Sequence, residues 1–284
     1  MLTQTDTETL GVYTLTDFLA EIGGPARRDD NAATLREWLA YADHGWMGTR
    51  DDKRGEETPD ATTKRLVRDG WARGLKLMEK VAGKVTAPTP KAVRRVQRWG
   101  RQGDDIDMQR VWHGDIDTAW RETQRDMRSG PRRIRVLVDS IAAGYVAADE
   151  MRWRGVAALK LADMLTEAGY SVQVESVMCT PADGHTYKVR TIVKDYTQPT
   201  DLLTLAATTA LPAFFRALVH TWGVVVANRK RDGVGYRVQK AIASDFPDAS
   251  DGAPAFMLGQ DIDSADKASE AITKIINTLD EAGE

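Results

Sequence analysis

The chain has one cysteine, Cys179, four histidines, and few aromatic residues, 7% of 284. A single thiol excludes an intrachain disulfide and points to a reducing compartment. His44, His113, His185 and His220 show no metal-ligand spacing, so no zinc-type centre is expected. No apolar run approaches the ~20 residues that span a bilayer, so no membrane partner is expected. The first 20 residues carry Asp6, Glu8 and Asp17 and lack an apolar core, so no secretory signal is expected. Neither common phosphate-cradling glycine motif occurs, and no serine sits in a nucleophile elbow. Cys179 has no sequence-local catalytic partner and reads as a buried structural thiol. These absences point to a protein without a cofactor and without enzymatic activity.

What is present is a chain 42% hydrophobic and 29% charged, enough to bury a sizeable core. The net charge is −3, but its distribution is uneven. Residues 84–135 hold 13 Lys/Arg against 7 Asp/Glu, whereas residues 245–284 hold 10 acids against Lys267 and Lys274. A basic middle and an acidic tail read either as mutual attraction within the fold or as a nucleic-acid patch.

The clearest architecture lies in residues 132–180. Arg133–Ser140 is a β-branched apolar run ending on Asp-Ser. A helix is expected from about Asp149 to Ala168, closed by Gly169, and Ser171–Cys179 reads as a second strand. Strand, helix and strand make a βαβ unit with a right-handed crossover. Asp139 and Ser140 then sit at the carboxyl end of a strand, where open α/β sheets place ligands. The alternative role for Asp139 is capping the turn. Tyr187–Asp195 is expected to complete a hairpin, and Pro212 to kink a long apolar helix over 201–227. Ala255–Leu258 reads as a last buried strand and 263–279 as a last helix.

Upstream, residues 1–10 look loose and the rest helical. One long helix is expected over 60–85, with Gly70 and Gly74 beside Trp71 as a place of close packing, for which the Trp46 turn is the expected partner. Thr86–Pro90 looks like a linker. Lys91–Arg101 reads as a short helix whose Arg94, Arg95, Arg98 and Arg101 form either a solvated face or, with Trp99, a phosphate-contacting stripe. In 103–120, six acids and histidines invite a metal reading, but the spacing fits no calcium loop. Asp105 and Asp115 are expected to cap two short helices, the second reaching about Met127, with Trp112 and Trp120 as apolar anchors.

Strand Ile134–Asp139, the following loop, helix Asp149–Ala168 and strand Ser171–Val177 resemble the opening of a von Willebrand factor A-type domain. Such domains are three-layer α/β folds used in adhesion or assembly. Many bind a divalent metal through an Asp-x-Ser-x-Ser loop. Here Asp139 matches, but Ile141 and Ala143 stand where the serines belong, and neither side chain coordinates magnesium. The wider pattern resembles a family encoded by tailed bacteriophages, through Gly45–Thr49, Asp69–Gly74, Gly114–Trp120 and Arg154–Ala157. That resemblance implies a phage origin and carries no catalytic residue.

The expected fold is therefore α/β: a helical N-terminal region over 1–130, then a three-layer α/β/α von Willebrand A-like domain over 131–284. The expected function is a phage-encoded, non-enzymatic binding or assembly protein acting on a protein partner in the host cytoplasm. It has neither metal nor cofactor. The second reading is a nucleic-acid-binding protein using Arg94–Arg101, and the third a hydrolase using Asp139 with distant acids.

Overall fold

A computed structural model describes residues 1–23, 30–82, 85, 95–101, 103, 105–125, 132–182, 184–227, 240–247 and 252–281. The chain divides into two compact units, Met1–Pro88 with Arg133–Glu284, and Thr89–Arg132.

The larger unit opens with two strands, β1 (Leu2–Gln4) and β2 (Glu8–Thr14), where the sequence suggested a loose end. Helices α1 (Leu15–Gly23), α2 (Asp30–Tyr41) and the single turn α3 (His44–Met47) follow. The expected 60–85 helix is two helices, α4 (Pro59–Asp69) and α5 (Ala72–Ala82). Thr58 caps α4 by accepting the Ala61 N–H, and Pro59 occupies the first turn, where its missing N–H costs nothing. Gly70, at φ +87, ends α4 in a conformation that side-chain-bearing residues avoid.

The smaller unit holds β3 (Arg95–Gly100), β4 (Asp105–Ile106), α6 (Met108–Trp112) and β5 (Trp120–Arg125). The strands form an antiparallel sheet in the order β3-β5-β4. Lys91–Arg101 is thus not a helix where it is described: Arg95–Gly100 is a strand. The second expected helix, over 115–127, is a short 3-10 turn at Ile116–Thr118 followed by β5. The helix cap is Asp107, which accepts from the Gln109 and Arg110 N–H groups, while Asp105 lies in β4.

The larger unit resumes with β6 (Arg133–Asp139), α7 (Ala148–Glu167), β7 (Ser171–Ala182) and β8 (His185–Lys194). Asp149 and Glu150 lie in the first turn of α7, where negative charge complements the helix dipole. Gly169, at φ +86, and Tyr170 close it: the Tyr170 N–H reaches back to the Leu165 carbonyl at 2.9 Å. Helix α8 (Leu202–Leu205) runs into π-helical turns at Ala206–Ala210, Phe214–Val219 and Trp222–Val226. The axis bends by 62° between Leu202–Ala210 and Phe214–Val226, at Pro212 as expected. The chain ends with β9 (Ala255–Leu258) and α9 (Ala265–Glu281).

The main sheet runs β1-β2-β8-β7-β6-β9. β2 lies parallel to β8, and β6 lies parallel to both β7 and β9. β1–β2 and β7–β8 are antiparallel. The fold is α/β, a mostly parallel central sheet flanked by helices. Because β2 pairs with β8, the N-terminal residues build the same unit as 133–284, and the division expected at 130 differs from the observed one. Residue 130 itself and the Thr86–Pro90 linker lie outside the described residues.

Strand alternation gives the sheet two faces. Ile134, Val136 and Val138 join Leu159, Leu161, Val172 and Val174 in the large core beneath the helices. Leu137, Val177 and Cys179 face the other way, under Ala241 and Phe246. Val136, Val138, Leu161 and Val174 have no exposed surface, as expected for the centre of the βαβ unit. Leu161→Ala should cost about 3 kcal/mol in urea unfolding, from lost burial plus the cavity left behind. A loss under about 1 kcal/mol would mean that Leu161 is not central to the core.

Candidate functional site

Two regions qualify on sequence: the Asp139-Ser140 strand end and the arginine-rich segment of the smaller unit. The first is closed. Asp139 is fully buried. One carboxylate oxygen accepts the Ile141 N–H at 3.2 Å, and the other accepts the Ala241 N–H at 3.4 Å and the Gln260 amide at 3.0 Å. Ser140 Oγ donates to the Val177 carbonyl at 2.8 Å and accepts from Ser176 Oγ at 3.1 Å. Burial raises the pKa of Asp139 above the usual carboxylate range, and the positive charge of Arg154 pulls it partly back. Asp139 therefore caps the turn after β6, the second of its two expected roles.

Three buried guanidiniums from α7 and the bent helix hold the surrounding loops. Arg154 donates to the Ser140 and Ile141 carbonyls at 3.1 and 2.8 Å. Arg152 donates to Asp149 and to the Gly48 carbonyl. Arg216 donates to the carbonyls of Trp46 and Val146. Burial lowers the pKa of Arg216 to about 10, and the like charge of Arg154 adds to the shift. Trp46 lies under Arg216, 4.2 Å from guanidinium carbon to ring centre, and its indole N–H donates to the Gly144 carbonyl.

The short motifs in Gly45–Thr49, Asp69–Gly74 and Arg154–Ala157 meet around this knot. Gly48, at φ +74, leaves room for Pro212 and Arg152. A Cβ on Gly70 would sit 2.6 Å from Leu203, and one on Gly74 2.6 Å from Ala206. The close packing expected at Gly70 and Gly74 is real, but its partner is the bent helix and not the Trp46 turn. Trp71 is fully buried and donates its N–H to Asp52 at 3.0 Å. These motifs are packing devices: they let three helices and two loops approach at backbone distance. The void beside Arg154, lined by Ser140, Thr209 and Phe214, has room for about one water molecule and for no larger ligand.

Among the described residues no three His, Cys, Asp or Glu side chains come together as a metal site. Ile141 contributes no oxygen ligand and is itself buried. Calorimetric titration with magnesium or manganese should show no binding at Asp139. A dissociation constant below about 1 mM that disappears in Asp139→Ala would overturn that expectation.

The second region is open. Arg94 lies outside the described residues. The backbones of Arg95 and Arg98 sit in β3 opposite Arg125 and Glu122. Trp99 is 41% exposed, with the Arg110 guanidinium 4.2 Å and that of Arg121 5.7 Å from its ring centre. Three arginines here face an acid: Arg101 with Asp117 at 2.9 Å, Arg110 with Asp107 at 3.6 Å, and Arg121 with Asp105. Of the acids that suggested a metal loop, Asp107 caps α6 and Asp105, Asp107 and Asp117 face arginines, while Asp104 lies outside the described residues.

The same unit exposes large apolar side chains. Trp112 is 77% exposed and Ile116 60%, with Ile106 and Met108 also open. Trp112 is therefore not the buried anchor expected of it. A sequence signal did exist: Ile106, Met108, Trp112 and Ile116 are spaced through a run of aspartates in a segment too short to bury them all.

The larger unit is an α/β scaffold whose strand-end loop is closed, and the smaller unit displays the open surface. A family model described as a domain of unknown function, DUF7192, matches residues 15–281, and the chain belongs to that family. No curated protein matches the chain, and no solved structure does.

Proposed function

We propose that the protein is a non-enzymatic binding or assembly protein that docks a protein partner through the Thr89–Arg132 unit. The observation that carries this reading is the exposure of Trp99, Ile106, Met108, Trp112 and Ile116 beside arginines that already have acidic partners. Protein interfaces enrich Trp, Met and Arg at their cores and exclude uncompensated charge. A surface prepared for phosphates would instead hold its cations free of acids.

The finer parts of the reading rest on resemblance. A parallel β6–α7–β7 crossover followed by an antiparallel β8 supports a von Willebrand A-like scaffold, and Ile141 with Ala143 supports a degenerate metal loop. The short motifs support a phage origin and action in the host cytoplasm. Among the described residues no single helix is long and apolar enough to cross a membrane.

The test is a pull-down from infected cells with the full chain and with Trp112→Ser/Ile116→Ser, both checked for folding by circular dichroism. Truncating two interface anchors should weaken capture of a specific partner at least about 30-fold, the equivalent of about 2 kcal/mol. Equal capture by the variant would remove this surface as the docking site.

A second reading keeps one observation of its own: an exposed Trp99 flanked by two guanidiniums resembles a stacking platform for single strands. It expects DNA binding whose log–log salt slope is about −0.7 per phosphate contact, lost in an Arg94/Arg95/Arg98/Arg101→Ala variant. The docking reading expects no binding at low salt in fluorescence anisotropy.

A further inference from the structure

We infer that two copies of this chain associate through the β9 edge of the main sheet, with their α9 helices antiparallel. The site is separate from the surface proposed above and independent of that reading.

β9 is the last strand in the sheet order, paired with β6 on one side, and among the described residues no strand pairs with its other side. The register fixes which groups face away from β6. The Arg135 N–H donates to the Pro254 carbonyl, so Phe256 and Leu258 turn their amides toward β6. Alternation then turns the N–H and C=O of Ala255 and Met257 outward. Such an edge is a template for another strand, and proteins commonly blunt it with proline or a bulge. Neither is present within Ala255-Phe256-Met257-Leu258.

The groove beside this edge indicates the occupant. About 530 Å³ of space lies between β9 and α9, and a further 500 Å³ continues along α9 over the shared residues Glu270, Lys274 and Thr278. The floor is apolar, from Phe256, Ala271 and Ile275. The charges lining the first space are Asp261, Lys267, Glu270 and Lys274, two of each sign. That balance offers nothing to a polyanion or to a strongly charged peptide.

It fits the same surface turned by a two-fold axis. An isologous contact requires that if residue i meets j, then j meets i. The lining positions of α9 in the first space run from Lys267 to Thr278, centred near residue 272. Two α9 helices crossing antiparallel at that centre place Glu270 of each copy opposite Lys274 of the other. The same axis runs β9 antiparallel to β9, so that the outward amides of Ala255 and Met257 pair across the join and the sheet continues through both copies.

The experiment is sedimentation velocity on the full chain from 1 to 100 µM, with three variants. The natural chain should form a concentration-dependent dimer. Met257→Pro removes an outward N–H without touching the bonds to β6 and should leave a folded monomer. Glu270→Lys places lysine opposite lysine at two symmetric points and should weaken the dimer at least tenfold. Glu270→Lys/Lys274→Glu restores opposite signs and should return the dissociation constant to within about threefold of the natural one. The inference is overturned by a chain that stays monomeric to 100 µM, which would assign the edge to a strand of some other protein. It is equally overturned by a dimer indifferent to Glu270→Lys, an exposed substitution that leaves the fold intact.

Discussion

Glu175→Ala is expected to cost about 4 kcal/mol of stability. Glu175 lies on β7 with no exposed surface, facing away from the large core. Its two oxygens accept from Arg135 on β6 at 2.7 and 2.9 Å, and one of them also from Gln173 at 2.7 Å. Arg190 on β8 approaches the carboxylate at 2.6 Å. The carboxylate thus ties together three neighbouring strands and compensates two guanidiniums that are themselves buried. Desolvating such ions is costly, and their mutual attraction offsets that cost only while the set is complete. Alanine removes the shared acceptor and leaves the cations inside. Equilibrium urea unfolding of the natural chain, Glu175→Ala, Arg190→Met and the double variant measures the coupling. The double variant should recover part of the loss, because it removes a buried cation together with the anion. A loss below about 1 kcal/mol in Glu175→Ala would show that the cluster is not a stabilising centre.

Gly155→Val is expected to cost about 4 kcal/mol or to prevent folding. Gly155 is in the middle of α7, where glycine is worth about 1 kcal/mol less than alanine, so helix propensity alone favours replacement. Packing reverses the sign. A Cβ at Gly155 would overlap the Thr209 carbonyl and crowd the Cα of Ala210. Those are backbone atoms of the bent helix, and no flexible side chain is there to give way. Overpacking of this kind costs about 1–3 kcal/mol when neighbours can adjust, and more when they cannot. The contact also serves the Asp139 knot, since Arg152 and Arg154 lie within the turn preceding Gly155 on the same helix. Gly144→Ala is the control: nothing lies within 4 Å of a Cβ there, and its effect should stay within about 0.5 kcal/mol. Thermal unfolding of the two variants side by side separates crowding from the loss of glycine itself. Equal melting temperatures would refute the close approach of α7 and the bent helix.

Local rules carried far where the signal was periodic and bounded. The run Arg133–Asp139, the α7 helix with Gly169 behind it and the β7–β8 hairpin each follow from alternation or helical spacing closed by a turn residue. They failed in 91–127. Four arginines at near-helical spacing suggested a charged helix face, but Arg95–Gly100 pairs with β5, whose sequence carries no apolar alternation to announce it. Pairing across 20 to 30 residues is a tertiary event, and intrinsic propensity yields to it. The N-terminal strands were missed for the same reason: β2 is specified by its parallel register with β8, more than 170 residues away.

The sequence specifies the βαβ centre, the proline bend, the last strand and helix, and the absence of serines at 141 and 143 after Asp139, because each depends on residue types at fixed short spacing. It also determined which residues share a face of β6 and β7. Only the tertiary structure decided what those faces meet. Alternation in Ser-Val-Gln-Val-Glu-Ser normally assigns Gln173 and Glu175 to solvent, yet both are buried, because Arg135 and Arg190 arrive from neighbouring strands and Phe246 closes over them. The same assembly buried Asp139, which the strand-end rule placed at an open mouth, and left Trp112 in water, which hydrophobicity placed in a core. Burial is a property of what the rest of the chain brings alongside, and no local pattern contains that information.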